Sequence, residues 1–479
     1  MYLMKKILLP GAKLQQSMTE GPIWKGLIYF AIPIFFGNLF QQLYNTADTL
    51  IVGNFLGKEA LAAVASSGNL IFMMVGFLHG MAMGAGVLIA KHYGAKDYRK
   101  MRTAIHTDIA FCLVAGLALT VVGVVLTPHI LRWMGTPENV LPNSIAYFRT
   151  YFLGSSASFL YNVCTGILQA VGNSRHPLYY LVVSSIVNVV LDILFVGVFH
   201  WGVWSAAFAT VISQIISASL CVHKLLTTTE EYRVRIREIK ADFSVLKQIV
   251  KFGLPSGVQN ALFAISNIVI QSSIVQVNNA VCSPGAAYQP VVKGNAAAAN
   301  IAAFGNTALG AAGHACISFT SQNYGAKNYD RVKRVAAVGY LLLSLVGLVA
   351  TAVLMLLRDP LLALYGVQNA PDELAQLAYS AAKTRVLWMW PFYILHAWMT
   401  CGSDVLRGLG KSMLATVSSL IGSCLLRIVW IYTAFRAVPK LSMVYVSYPI
   451  TWFLTALALL LFVLREFKRF EKPGTAQKA

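Results

Sequence analysis

The stretch Tyr93-Gly94-Ala95-Lys96-Asp97-Tyr98 returns later in the chain as Tyr324-Gly325-Ala326-Lys327-Asn328-Tyr329. Each copy closes a long apolar block and leads into basic residues, Lys100 and Arg102 after the first, Arg331 and Lys333 after the second. Upstream, Pro33, Asn38 and Asn45 match Pro255, Asn260 and Asn267 at one offset of 222 residues. Downstream, Leu168, Gly172 and Ser174 match Leu406, Gly410 and Ser412 at an offset of 238. The order is kept while the offset drifts slowly, as expected of two copies of one unit that have gained small insertions. Such a repeat constrains the architecture before any single element is placed.

Of the 479 residues, 57% are hydrophobic and only 12% are charged, and the mean hydropathy is +0.63. A water-soluble chain of this length carries about twice that share of charge. The apolar residues come in long blocks rather than alternating strands. A helix needs about 20 mostly apolar residues to cross a bilayer, and lipid satisfies no open backbone group. The blocks predict helices over 25–52, 60–90, 104–127, 143–171, 177–199, 203–225, 245–277, 295–322, 335–357, 374–406, 412–434 and 442–464. The expected fold is an all-α membrane protein of twelve transmembrane helices in two pseudo-symmetric six-helix bundles. Six spans per half is an even number, so both halves run in the same sense, related by an axis along the membrane normal.

Turn chemistry marks the connections at Gly53-Asn54, Thr136-Pro137-Glu138-Asn139, Gly172-Asn173-Ser174 and Pro284-Gly285. The one long polar stretch, 226–243, reads as the link between halves. The expected organisation is a cytoplasmic tail over 1–22, an N-lobe over 23–232, a C-lobe over 233–465 and a cytoplasmic tail over 466–479. Ile7-Leu8-Leu9 is too short for the apolar core of a cleavable signal. The net charge of +20 sits in short loops. With the N-terminus inside, the inner loops hold Lys91, Lys96, Arg99, Arg175, Lys327, Arg331, Lys333, Arg407 and Lys411, and the outer loops hold few cations. That asymmetry places both termini in the cytoplasm of a multi-pass plasma-membrane protein. It also accounts for the basic balance without a nucleic-acid partner. The seven cysteines show no metal-ligand spacing. No phosphate loop or other enzyme motif is present, so the chain is not expected to be an enzyme or to need a cofactor.

Within the apolar blocks the polar residues are patterned. Asn38, Gln42, Asn45 and Thr49 share one face of the first helix, with Asp48 beside them. Asn188 and Asp192 stand one turn apart on the fifth helix, and Ala206 and Thr210 one turn apart on the sixth. A carboxylate at membrane depth is costly and usually functional. Asp48, Asn188 and Asp192 offer hard oxygens suited to Na+, and protonation of the same carboxylates would serve a proton-coupled cycle. The seventh helix repeats the amides as Asn260, Asn267 and Gln271, yet Ile270 stands where Asp48 would be and Arg427 where Asp192 would be. Arg427 is either a fixed positive charge or half of a structural pair. The amides of both halves and Arg427 are candidate substrate-cavity residues. Pro33, Pro255, Pro391 and Pro449 fall inside helices and permit kinks.

These features together resemble the multidrug and toxic compound extrusion (MATE) transporters. The resemblance is carried by the duplication, by Asn45-Thr46-Ala47-Asp48-Thr49-Leu50-Ile51-Val52-Gly53, and by the two Tyr-Gly-Ala-Lys turns. Leu168-Gln169-Ala170-Val171-Gly172-Asn173-Ser174 and Leu406-Arg407-Gly408-Leu409-Gly410-Lys411-Ser412 complete it, and it spans roughly 23–465. It implies two six-helix lobes that rock to export small organic cations in exchange for Na+ or H+, from a monomer embedded in membrane lipids. It also implies that Asp48, Asn188, Asp192, Ala206 and Thr210 form the cation-coupling site. Some members carry a carboxylate on the seventh helix; 245–277 has none. The 278–294 connection also looks longer than is usual. The alternative is a lipid or lipid-linked oligosaccharide flippase of the same superfamily, which would grip a pyrophosphate with basic groups.

Overall fold

The computed structural model describes residues 18–282 and 289–471. Residues 1–17 of the expected N-terminal tail, Pro284-Gly285 of the 278–294 connection and residues 472–479 of the C-terminal tail lie outside them. The described chain is helical and multi-pass. Its elements are α1 (Ile23–Gly94), α2 (Tyr98–Trp133), α3 (Leu141–Leu153), α4 (Ser155–Ala170), α5 (Arg175–Asp192), α6 (Val203–Thr227) and α7 (Phe243–Val281). They continue as α8 (Pro290–Gly325), α9 (Tyr329–Leu356), α10 (Arg358–Leu364), α11 (Glu373–Met389), α12 (Tyr393–Gly408), α13 (Ser412–Ser419), α14 (Leu426–Trp430) and α15 (Leu441–Phe470).

Nine helical segments among the described residues, two of them within α1, are long and apolar enough to cross a bilayer. The other three of the expected twelve spans are α3 with α4, α8, and α11 with α12. The α3–α4 span is interrupted at Gly154. The α11–α12 span passes through a 3-10 turn, Trp390–Phe392, that contains Pro391. Proline lacks the N–H that an unbroken α-helix needs there.

Two expectations are corrected. The turn predicted at Gly53-Asn54 is helical, and the backbone instead leaves helical geometry at Gly57, with φ 84°. Glycine takes that left-handed conformation without the Cβ clash that penalises other residues. The polar stretch 226–243 is also no bare link. Arg102 pairs with Glu231, Arg235 N donates to His106 Nε2 at 3.0 Å, and Asp242 N donates to Thr107 Oγ1 at 3.2 Å. The segment is thereby laid along α2.

The repeat is visible in backbone geometry. Lys96 and Lys327 both take φ 57°. Around them Lys96 N bonds Tyr93 O and Asp97 N bonds His92 O, as Lys327 N bonds Tyr324 O and Asn328 N bonds Asn323 O. Gly172 and Gly410 both have positive φ. Asn173 N reaches Leu168 O and Lys411 N reaches Leu406 O, one bond pattern used twice.

The chain forms two compact units. The first holds residues up to Gly68, Ala85–Lys247 and Ser321–Asn328; the second holds Asn69–Gly84, Gln248–Thr320 and the chain from Tyr329 onward. In the first, α5 packs on α6, α2 on α3 and α4, and both of these on α6. The two repeated turns meet there: a Cβ on Gly94 would lie 1.9 Å from Gln322 O, and one on Gly325 would lie 1.8 Å from Lys91 O. In the second unit, α12 packs on α9 and α15, and α11 on α15. Its backbones approach as closely, since a Cβ on Gly84 would fall 2.2 Å from Gly253 N and one on Gly80 would fall 2.4 Å from Gly257 N. Small residues permit such crossings, which supply packing where lipid provides no hydrophobic drive.

Candidate functional site

The first unit contains a buried acidic site. Asp48 on α1 is 8% exposed, and Asp192, the last residue of α5, is fully buried. Immediately after Asp192 the helix widens into a π-helical turn, Ile193–Val198. Such turns free a backbone position and gather at functional sites. Asn188, one turn before Asp192 on the same face, is also fully buried. Its Nδ2 donates to Thr210 Oγ1 at 3.4 Å, and Thr210 Oγ1 donates to Ala206 O at 3.2 Å. Ala206 is fully buried, and its small side chain leaves α6 close to α5 at this level. The two carboxylates lie within electrostatic range of each other.

The donor set is specific. Asp48 Oδ1, Asn188 Oδ1 and both carboxylate oxygens of Asp192 are buried without a hydrogen-bond partner among the described residues. No Lys or Arg there pairs with either carboxylate. Unpartnered buried oxygens are costly, and carboxylates most of all. The arrangement is therefore suited to hold a small hard cation or a proton. Among the described residues no group of three or more His, Cys, Asp or Glu side chains is placed to hold a metal ion, so any cation here would draw on the Asn188 and Thr210 oxygens as well.

The expected cavity residues divide. Gln42 and Asn45 are exposed and Asn38 half-buried, while Asp48 joins Tyr44 on the buried face. The amide stripe and the carboxylate thus use different sides of α1. Asn260 is committed to packing: its Nδ2 donates to Gly76 O at 2.8 Å. Asn267 is exposed, and Gln271 Oε1 accepts from Asn295 Nδ2 at 3.4 Å. Arg427, in the second unit, is 5% exposed. It has no carboxylate within 4.0 Å among the described residues, which removes the ion-pair reading.

The family model described as MatE matches residues 33–194 and 255–433, one stretch in each half. The chain belongs to the MatE family. As a MatE protein it is a transporter rather than an enzyme. It is 29% identical over 414 residues to the probable multidrug resistance protein YoeA of Bacillus subtilis (strain 168), covering 85% of each chain. It is 22% identical over 273 residues to the multidrug export protein MepA of Staphylococcus aureus (strain MRSA252), covering 57% of this chain and 60% of that one. A solved structure described as the outward-facing conformation of a multidrug resistance MATE family transporter of the MOP superfamily superimposes with TM-score 0.86. That match is at 21% identity and covers 97% of this chain and all of that one.

Sequence reading missed a set of phenols around the MatE chain's acidic pair. Tyr44 lies one turn before Asp48, and Tyr147 and Tyr151 lie one turn apart on α3. The Tyr147 hydroxyl is in electrostatic range of Asp48 and Asp192, and that of Tyr151 of Asp48. The i,i+4 spacing of these tyrosines was a readable signal, but tyrosine near a membrane reads equally as an interface belt. A third buried carboxylate in the first unit, Asp108 on α2, is 2% exposed.

Proposed function

We propose that this chain is a secondary active antiporter that exports small organic cations in exchange for inward-moving Na+ or H+. The supporting observation is the Asp48–Asp192 pair, buried with Asn188 and without a countercharge among the described residues. A bare carboxylate in a low-dielectric site is strongly disfavoured, and two together more so. A proton, Na+ or the positive group of a cargo relieves the same cost. The carboxylates therefore serve one cation at a time. Entry of the ion from outside displaces the cargo, and loss of the ion inside regenerates the acceptor for the next. Asn188 and Thr210 supply neutral oxygens, and the exposed amides of Gln42 and Asn45 contact cargo on its path. Names of the relatives, multidrug resistance and multidrug export proteins, support a drug-like small-molecule cargo, and the acidic pair supports a cationic one. The excess of basic residues in alternate loops supports cytoplasmic termini in a multi-pass membrane protein.

The test is ethidium transport in proteoliposomes with sodium and pH gradients imposed separately. The wild-type chain is expected to transport against one of the two gradients. Asp48→Asn and Asp192→Asn, inserted at equal density, are expected to transport nothing above empty vesicles. Gradient-driven transport by both well-inserted variants would reject the reading.

A further inference from the structure

The second unit contains the reverse of the acidic pair. Arg427 on α14 holds its guanidinium over the ring of Tyr448, with Cζ 3.9 Å from the centroid, and Arg385 on α11 lies between two rings, with Cζ 5.6 Å from the Tyr445 centroid and 6.0 Å from that of Tyr448. Sharing the Tyr448 ring keeps the two carbons no farther apart than their two distances from it laid end to end. Arg427 Nη2 donates to Thr451 Oγ1 at 3.0 Å. Arg385 Nη1 donates to Asn295 Oδ1 at 2.6 Å, and the Tyr445 hydroxyl donates to the same oxygen at 2.8 Å. All these partners are neutral. Among the described residues neither guanidinium has a carboxylate within 4.0 Å. The Nε of each is buried without a partner.

The same unit shows what a structural arginine looks like. Arg407 is held by Asp404 Oδ1 at 3.0 Å and Gln259 Oε1 at 2.8 Å. Its charge is matched inside the protein. Arg385 and Arg427 lack such a match, although Arg427 lies within a membrane-spanning segment, where an uncompensated charge is most costly. Guanidinium is a planar fork that fits carboxylate, sulfonate and phosphate oxygens. The Arg427 guanidinium is 5% exposed, lies against the Tyr448 ring and is in electrostatic range of His396, which packs on Trp452 with centroids 5.0 Å apart. That surround favours an anionic group carried on an apolar or aromatic body.

We propose that Arg385 and Arg427 form a binding site for the anionic oxygen group of an amphiphile, either a carboxylate-bearing solute or a phosphate-bearing lipid headgroup. The site stands independently of the acidic pair and of the antiport reading. Binding is measured by isothermal titration of the full chain in phosphatidylcholine nanodiscs, without any ion gradient. The probes are naphthalene-1-carboxylate, hexyl phosphate and the cationic counterpart naphthalene-1-methylammonium. At least one anionic probe is expected to bind about tenfold more tightly than the cation. Arg427→Gln and Arg385→Gln are each expected to weaken that probe about tenfold or more, and Arg427→Lys, which keeps the charge, by less. Thermal melting of each variant confirms that it is folded. Competition from phosphatidylglycerol nanodiscs would assign the site to a headgroup, and no competition would assign it to a solute; either supports an anion site. Equal affinity for anion and cation, no saturable anion binding, or unchanged affinity in a folded Gln variant would overturn it.

Discussion

Asp192 and Arg427 occupy corresponding places in the two halves of one duplicated chain, yet they carry opposite charge. Both adjoin widened backbone. Asp192 precedes the π-helical turn Ile193–Val198, and Arg427 lies between the turns Leu420–Leu425 and Ile431–Phe435. Both are almost fully buried, and neither has an ionic partner among the described residues. The repeat has therefore kept a backbone device and exchanged the chemistry mounted on it. The Tyr-Gly-Ala-Lys turns teach the converse, since there the bonding pattern and even the left-handed lysine are retained in both copies. Scaffold is held in common and charge is specialised.

That contrast is broken most severely by removing the acidic chemistry. Asp192→Asn is expected to bring gradient-driven ethidium transport down to the level of empty vesicles, because an uncharged amide cannot exchange one cation for another. Arg427→Gln should leave the ion dependence of any remaining transport intact. If both changes shift ion dependence alike, the halves are not specialised. Next in size come the scaffold changes, which should be symmetric. Gly94→Ala and Gly325→Ala each drive a Cβ into a backbone carbonyl, an overpacking worth about 1–3 kcal/mol. Their melting temperatures in detergent should fall by similar amounts, whereas Gly310→Ala, which meets nothing within 4 Å, should leave melting almost unchanged.

Smaller effects sharpen the comparison. Tyr448→Phe keeps the ring beneath Arg427 and should retain anion affinity, whereas Tyr448→Leu removes a cation–π contact of about 1–2 kcal/mol and should weaken it about tenfold. Thr210→Val deletes the hydroxyl that accepts from Asn188. One neutral hydrogen bond contributes about 1 kcal/mol, so the half-saturating ion concentration should rise roughly fivefold. The smallest effect lies at the repeated turns. Asp97 caps α2 by accepting from Lys100 N at 3.1 Å. The Lys100 backbone and side chain hold its carboxyl below the ordinary carboxylate range. Its folded value is thus depressed, so its contribution is present above the ordinary carboxylate range and lost as acid lowers the pH through the folded value. Asn328, at the matching position, does not titrate. Asp97→Asn should therefore slightly flatten the acid limb of the melting profile and leave neutral pH nearly unchanged.

Much of the fold was legible because repeats and helix lengths are long-range signals that survive local irregularity. The two halves and the twelve spans follow from the apolar blocks and the drifting offset. The exact break after the first span was not legible: Gly53 and Gly57 read alike, and only three-dimensional packing decides which one turns left-handed. The acidic pair was legible because carboxylates are rare in apolar helices. Asn260 looked like a cavity residue, yet its amide is used by Gly76 O. Spacing alone does not say whether an amide faces a ligand or a neighbouring backbone. Arg385 was overlooked because Lys383 and Thr384 beside it make the segment read as a polar helix end. Its partners Asn295 and Tyr445 are far away in sequence, on α8 and α15.

Direct competition at the acidic pair tests the account most closely. Equilibrium binding of ethidium to the purified chain should be measured at rising sodium concentration and, separately, at falling pH. One of the two ions is expected to lower ethidium affinity progressively without changing the number of sites, and Asp192→Asn to abolish this dependence. Ethidium and the coupling ion bound together at undiminished affinity would contradict competition at the pair.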